Sequence, residues 1–139
     1  MWEGRYQMGT KRIFISYDYD NDRHYKNLLV AWDKNKEFDL NFYDGSVTVA
    51  IDSKDGDYIK SCIKPKIEAS THLLCIVGKE THRSKWVDWE IRTAIGLKKK
   101  LIGVKIEKDN TAPSALFGVG ATWALSFTFD SIKKAVDSA

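Results

Sequence analysis

Trp86 and Glu90 stand four residues apart in Lys85-Trp86-Val87-Asp88-Trp89-Glu90-Ile91. On a helix that spacing stacks two side chains on one face, one turn from each other. An indole plane beside a carboxylate suits a substrate that is flat and cationic, or becomes so at the transition state, because ring face and anion both favour positive charge. Nicotinamide joined to ribose fits that description. The same residues also suit a plainer arrangement, in which both tryptophans anchor the core and Glu90 is a solvated first-turn acid favoured by the helix dipole.

Apolar runs that alternate with helical periodicities supply the framework. Arg12-Ile13-Phe14-Ile15-Ser16-Tyr17 has the character of a short buried strand, and Asp20-Asn21-Asp22 supplies caps for a helix carrying Tyr25, Leu28, Leu29 and Trp32. Phe38 to Tyr43 reads as a second strand ending at the turn dipeptide Asp44-Gly45, and the polar segment to Asp57 as a long loop. From Tyr58 the spacing of Ile59, Cys62, Ile63 and Ile67 is helical, with Pro65 expected to end or kink the helix. Leu73-Leu74-Cys75-Ile76-Val77-Gly78 is the pattern of a central parallel strand covered on both faces. Ser84 suits the N-cap of the helix that carries Trp86 and Glu90 and runs into Lys98-Lys99-Lys100. Leu101 to Ile106 and Trp123 to Phe127 read as the last strands, with a final helix from Asp130.

This alternation predicts an α/β fold: a flavodoxin-like, three-layer domain with a five-stranded, mostly parallel sheet of order 2-1-3-4-5. Ligands of such sheets bind beyond the carboxyl ends of the strands, where strand order reverses. That edge collects Ser16, Tyr17 and Asp18 after the first strand, Asp44 after the second and Gly78 to Ser84 after the third, beside Trp86 and Glu90. Ser16 is equally a strand-end hydroxyl for the backbone, Asp18 and Asp20 are equally helix-entry acids, and Asp44 equally a turn residue.

A chain of 139 residues is the size of one domain. We divide it into an N-terminal extension over 1–10 and a domain over 11–139. With 43% hydrophobic and 29% charged residues the composition is that of a globular protein, and no apolar run approaches the roughly 20 residues of a membrane span. The start lacks an export signal, so a cytoplasmic location is expected. The net charge of +3 lies largely in the lysine triplet and scattered lysines, which argues against a nucleic-acid partner. Cys62 and Cys75 share no metal-type spacing and His24, His72 and His82 are dispersed, so no metal site is expected.

Several ordered blocks carry a family resemblance. Arg12-Ile13-Phe14-Ile15-Ser16-Tyr17-Asp18, the helix from Asp22-Arg23-His24-Tyr25, and Val77-Gly78-Lys79-Glu80-Thr81 followed by Trp86-Val87-Asp88-Trp89-Glu90-Ile91 resemble the TIR-like proteins of the bacterial Thoeris antiphage system. Gly118-Val119-Gly120-Ala121 before Trp123 fits the same pattern. The resemblance implies an enzyme that cleaves NAD, as substrate and without a cofactor, at the nicotinamide ribosyl bond. It further implies a diffusible, ADP-ribose-derived signal, cyclic in many members, that activates a partner effector. A phage-derived trigger and self-association belong to the same picture. Glu90 takes the position of the family's catalytic glutamate and Trp86 that of the aromatic lining the nicotinamide pocket. The carboxyl edge of the sheet adds Ser16, Tyr17, Asp18 and Asp44 as further expected substrate contacts. The polar loop from Gly45 to Asp57 is a candidate gate.

Rival readings differ in what they require. A phosphoacceptor receiver domain needs an acceptor aspartate, which Val77-Gly78-Lys79 lacks, and a flavodoxin needs a phosphate loop where Tyr17-Asp18-Tyr19-Asp20-Asn21-Asp22 is acidic. A nucleoside deoxyribosyltransferase-like enzyme would use a similar fold and a glutamate at a ribosyl carbon. A noncatalytic TIR-like assembly module would not need Glu90.

Overall fold

The computed structural model describes residues 11–43 and 49–139. The extension read over 1–10, and Asp44 with Gly45, lie outside them. The chain alternates strand and helix: β1 (Arg12–Ser16), α1 (Tyr19–Trp32), β2 (Asp39–Asn41), α2 (Lys54–Glu68), β3 (His72–Val77), α3 (Lys85–Gly96), β4 (Lys100–Lys105), β5 (Thr122–Ala124) and α4 (Phe129–Ser138). The sheet has the order β2-β1-β3-β4-β5, and each neighbouring pair is parallel. This is the flavodoxin-like α/β architecture expected from the sequence.

Side chains alternate across each strand, so the sheet carries two cores. Ile13, Ile15, Leu74, Ile76, Ile102 and Val104 pack with Leu29 of α1 and Ile132 and Val136 of α4. Phe14, Leu73, Cys75, Val77 and Leu101 pack with Ile63 and Ile67 of α2 and Val87 and Ile91 of α3. All six residues of β3 are buried, because the middle strand is covered from both sides.

Element boundaries depart from the sequence reading in physically explicable ways. The first helix begins at Tyr19 with Asp18 as N-cap, so Asp22 is no cap but a buried residue one turn inside. The end of the supposed loop to Asp57 is helical: α2 starts at Lys54, and its N-cap Ser53 accepts from the Gly56 N–H at 3.0 Å. Gly56 is required there, because a Cβ would strike the carbonyl oxygens of Ala50 and Ile51. Pro65 lies inside α2 without ending it. It falls in the last turn, where it removes one hydrogen bond, and fully buried Ile63 and Ile67 hold the helix to the sheet on either side of it. The flanking strands β2 and β5 are three residues each, shorter than their apolar runs.

Candidate active site

Glu90 interrupts an apolar stripe. The buried face of α3 is Val87, Glu90, Ile91 and Ala94, the i, i+3, i+4, i+7 spacing of a core-facing helix. The helix is started by Ser84, whose Oγ accepts from the Val87 N–H at 3.1 Å. Strand alternation puts Ser16 on the same side of β1 as Phe14, facing α3. The two polar residues meet inside the protein: Ser16 Oγ donates to Glu90 Oε1 at 2.6 Å, with Ser16 fully buried and Glu90 7% exposed. Burial pushes the Glu90 carboxyl up to about 8, against the opposing pull of the Ser16 hydroxyl. The solvated first-turn acid of the plainer sequence reading is thereby excluded.

A small cavity opens onto this carboxylate. It is lined by Ile15, Tyr17, Asp18, Tyr19 and Asp20 from the end of β1 and the start of α1, by Tyr43 after β2, and by Ser84, Trp86 and Glu90. Its volume of about 90 Å³ has room for a single ring and not for a dinucleotide. The Trp86 indole donates to the Val49 carbonyl at 3.3 Å and stands edge-on to Trp89, 6.1 Å between centroids. Opposite, the Tyr17 hydroxyl donates to the Tyr43 carbonyl at 3.4 Å. The Lys26 ammonium behind this wall lies 4.1 Å from the Phe42 ring centroid and 5.6 Å from that of Tyr17. The lining combines aromatic rings with three carboxylates and, among the described residues, no lysine or arginine. Such a surface favours a flat cation.

Tyr17, Asp18, Trp86 and Glu90 thus converge on one cavity, while Ser16 reaches it through Glu90 and Asp44 lies outside the described residues. Tyr19, Tyr43 and Ser84 were not singled out as site residues, although each lies at the carboxyl edge that the topology marks. The anchoring of Trp86 to Val49 left no trace in the sequence pattern.

The family model described as "Thoeris protein ThsB, TIR-like domain" matches residues 14–111. This chain belongs to that family. The matched span holds every described residue of the cavity lining and the whole of β3, while β5 and α4 lie beyond it. Among curated proteins, none matches the TIR-like sequence. Among solved structures, a 2-deoxyribosyltransferase from Bacillus psychrosaccharolyticus superposes with a TM-score of 0.63 at 9% identity, covering 87% of this chain and 95% of that one. A conserved protein from Enterococcus faecalis superposes at 0.53 with 17% identity, covering 68% and 63%. These similarities extend to the fold of the TIR-like domain. No helix among the described residues is long and apolar enough to cross a membrane.

Proposed function

We propose that this chain is an antiphage defence enzyme that cleaves NAD at the nicotinamide ribosyl bond and turns the ADP-ribose part into a cyclic signal nucleotide for a partner effector. The observation that carries the reading is a buried carboxylate, Glu90, at the end of an aromatic cavity that is lined with acids and takes one ring. NAD arrives with its positive charge on the pyridine ring. That charge favours the ionised form of Glu90, whose proton leaves to solvent on binding. The bond from ribose C1 to the ring nitrogen then breaks, its electron pair goes to the ring, and neutral nicotinamide departs without needing a general acid. The ionised Glu90 faces the oxocarbenium-like ribose, where a fixed anion in a dry site is most effective. A nucleophile from the adenine or ribose of the same molecule bonds to C1 and closes the ring, and the proton it sheds passes to the ionised Glu90 carboxylate and on to solvent. NAD is the substrate, and the scheme needs no cofactor.

In this reading the enzyme works in the cytoplasm and is held silent until a phage-derived trigger drives self-association. Its effector is reached by the diffusible product. Metabolite mass spectrometry on infected cells expressing the wild type or Glu90→Gln tests it, with circular dichroism of the purified mutant as the control for folding. A new ADP-ribose-derived species is expected in the wild type alone. Equal product from a folded Glu90→Gln protein refutes the catalytic assignment. Defence that persists in the Glu90→Gln strain, with no such product in the wild type, points instead to an assembly module.

A further inference from the structure

A second cavity opens at the same edge of the sheet, on the other side of the first turns of α1. Asp22, Tyr25, Gly78, Lys79, Glu107 and Asn110 line it, and it encloses about 350 Å³ against about 90 Å³ at Glu90. Asp22 is 5% exposed and Asn110 9% exposed, so two polar side chains have been drawn into the wall. Among the described residues the Asp22 side chain accepts one hydrogen bond, from Thr81 Oγ at 3.2 Å, and Thr81 in turn accepts from the Gly78 N–H at 2.8 Å. A carboxylate has about four acceptor positions, so Asp22 can accept further hydrogen bonds from a ligand in the cavity. Gly78 is part of the same arrangement, because a Cβ there would collide with the Asp22 carboxylate. Asn110 Oδ1 accepts from the Glu107 N–H at 2.9 Å and closes the turn on the far wall.

The chemistry of the wall selects a ligand class. Asp22, Glu80 and Glu107 outnumber Lys79, so an anion held within the cavity is disfavoured. An uncharged ligand rich in N–H and O–H donors is favoured. A purine ribonucleoside with an exocyclic amine has that character: a flat ring, one amine and three ribose hydroxyls, two of which stay free when the third is esterified in a dinucleotide. The two cavities have no lining residue in common but are built from the same stretches of chain, the start of α1 and the segment after β3. Asn21 of the second donates to Asp18 of the first at 2.7 Å, and the segment after β3 runs from Gly78 and Lys79 in one to Ser84 in the other.

We propose that the second cavity binds the adenosine half of the substrate, so that a dinucleotide lies over the start of α1 with its pyridine ring at Glu90 and Lys79 beside its phosphates. The dinucleotide pose rests on the NAD-cleaving reading above. The adenosine site itself does not. It is a separate binding surface whose occupancy is measured without turnover.

The test is an NMR titration of the full chain, labelled with nitrogen-15, using adenosine, inosine and nicotinamide as probes. Adenosine is expected to shift the backbone amides of Gly78, Lys79 and Asn110 saturably, nicotinamide to shift the Trp86 indole, and the two to bind together. Inosine presents a carbonyl oxygen where adenosine presents an amine, and is expected to bind about tenfold more weakly beside these carboxylates. Asp22→Asn, and the exposed Glu107→Gln in case the first variant fails to fold, should each weaken adenosine about five-fold or more. The inference is overturned if adenosine gives no saturable shift at Gly78 and Asn110, or if it competes with nicotinamide for one site. NAD cleavage by a protein whose second cavity ignores adenosine overturns this inference and leaves the proposed function standing. Saturable adenosine binding in a protein that never cleaves NAD does the reverse.

Discussion

Glu90 is subject to opposed demands, since the helix stripe it occupies asks for an apolar residue while the proposed chemistry asks for an anion. The result is a carboxyl that burial pushes up to about 8. Only the ionised form stabilises an oxocarbenium, and kcat/KM reports the free enzyme's ionisation. We therefore expect kcat/KM for NAD to rise about tenfold per pH unit below about 8 and to level off above it. Ser16 lowers the carboxyl's pKa by donating to it, so Ser16→Ala should move that midpoint to higher pH, and Ser16→Thr, which keeps the hydroxyl, should restore it. An unmoved midpoint in Ser16→Ala would make the contact a packing detail. The two tryptophans divide similarly. Trp86 lines the cavity and Trp89 does not, so Trp86→Ala should raise KM for NAD several-fold more than Trp89→Ala does. Trp89 is only half-buried, so its truncation should cost less than the ~3 to 5 kcal/mol of a fully buried aromatic. Matched KM values in the two variants would contradict the assignment. Glu90 and Trp86 were legible in the sequence because helix spacing is enough to pair them. The Ser16 contact was not, since a hydrogen bond over 74 residues of chain depends on how α3 docks on β1.

At the scale of elements, α3 and α4 offer a controlled comparison. Each begins with a hydroxyl cap: Ser84 accepts from Val87 N–H at 3.1 Å and Thr128 from Ser131 N–H at 3.2 Å. Replacing either by alanine should reduce stability by about 1 kcal/mol, read from urea unfolding. Only Ser84 also lines the cavity, and only α3 carries Glu90. Ser84→Ala should therefore depress NAD turnover beyond what Thr128→Ala does at equal stability. Equal turnover in the two variants would show that the start of α3 does not hold the site. The order and type of the elements were readable from periodicity, because a middle strand such as β3 must be apolar throughout and a capped amphipathic helix announces its start. The start of α2 was missed. Ser53-Lys54-Asp55-Gly56-Asp57 has the polarity of a loop, and its helical state is decided by the Ser53 cap and by the approach of Gly56 to Ala50 and Ile51. The gate read over Gly45 to Asp57 accordingly loses its last four residues, 54–57, to α2.

Across the whole molecule, charge is sorted by the topology. Helices run back against a parallel sheet, so their carboxyl ends gather at the amino edge of the strands. There Lys11 donates to the carbonyls of Val136 and Ala139 at 2.7 and 3.1 Å, Arg12 to Ala69 at 2.8 Å and Lys99 to Glu68 at 3.0 Å. The opposite edge holds the acid-lined cavity, so a chain of net charge +3 presents a site for a cation. The buried carboxylate makes that site costly to the fold. Glu90 titrates near 4.5 when unfolded and at about 8 when folded. Between those values the native state holds a proton that the unfolded chain has lost, so stability falls as pH rises, by about 1.4 kcal/mol per unit, and levels off above about 8. His72 runs the other way. Burial and the nearby Lys11 and Lys100 lower its pKa, so it withdraws stability as pH falls below about 6.5. Glu90→Gln keeps an oxygen for the Ser16 hydroxyl and carries no charge. It should abolish product formation while raising the melting temperature at pH 9, on the order of 10 °C if most of the ionisation penalty is recovered. At pH 5, where wild-type Glu90 is largely protonated when folded, the gain should shrink towards zero. A gain that is equal at both pH values would show that the ionised carboxylate is not what strains the fold. A variant less stable than the wild type at pH 9 would show that Glu90 serves the structure, and its place in the cavity would then need another explanation than catalysis.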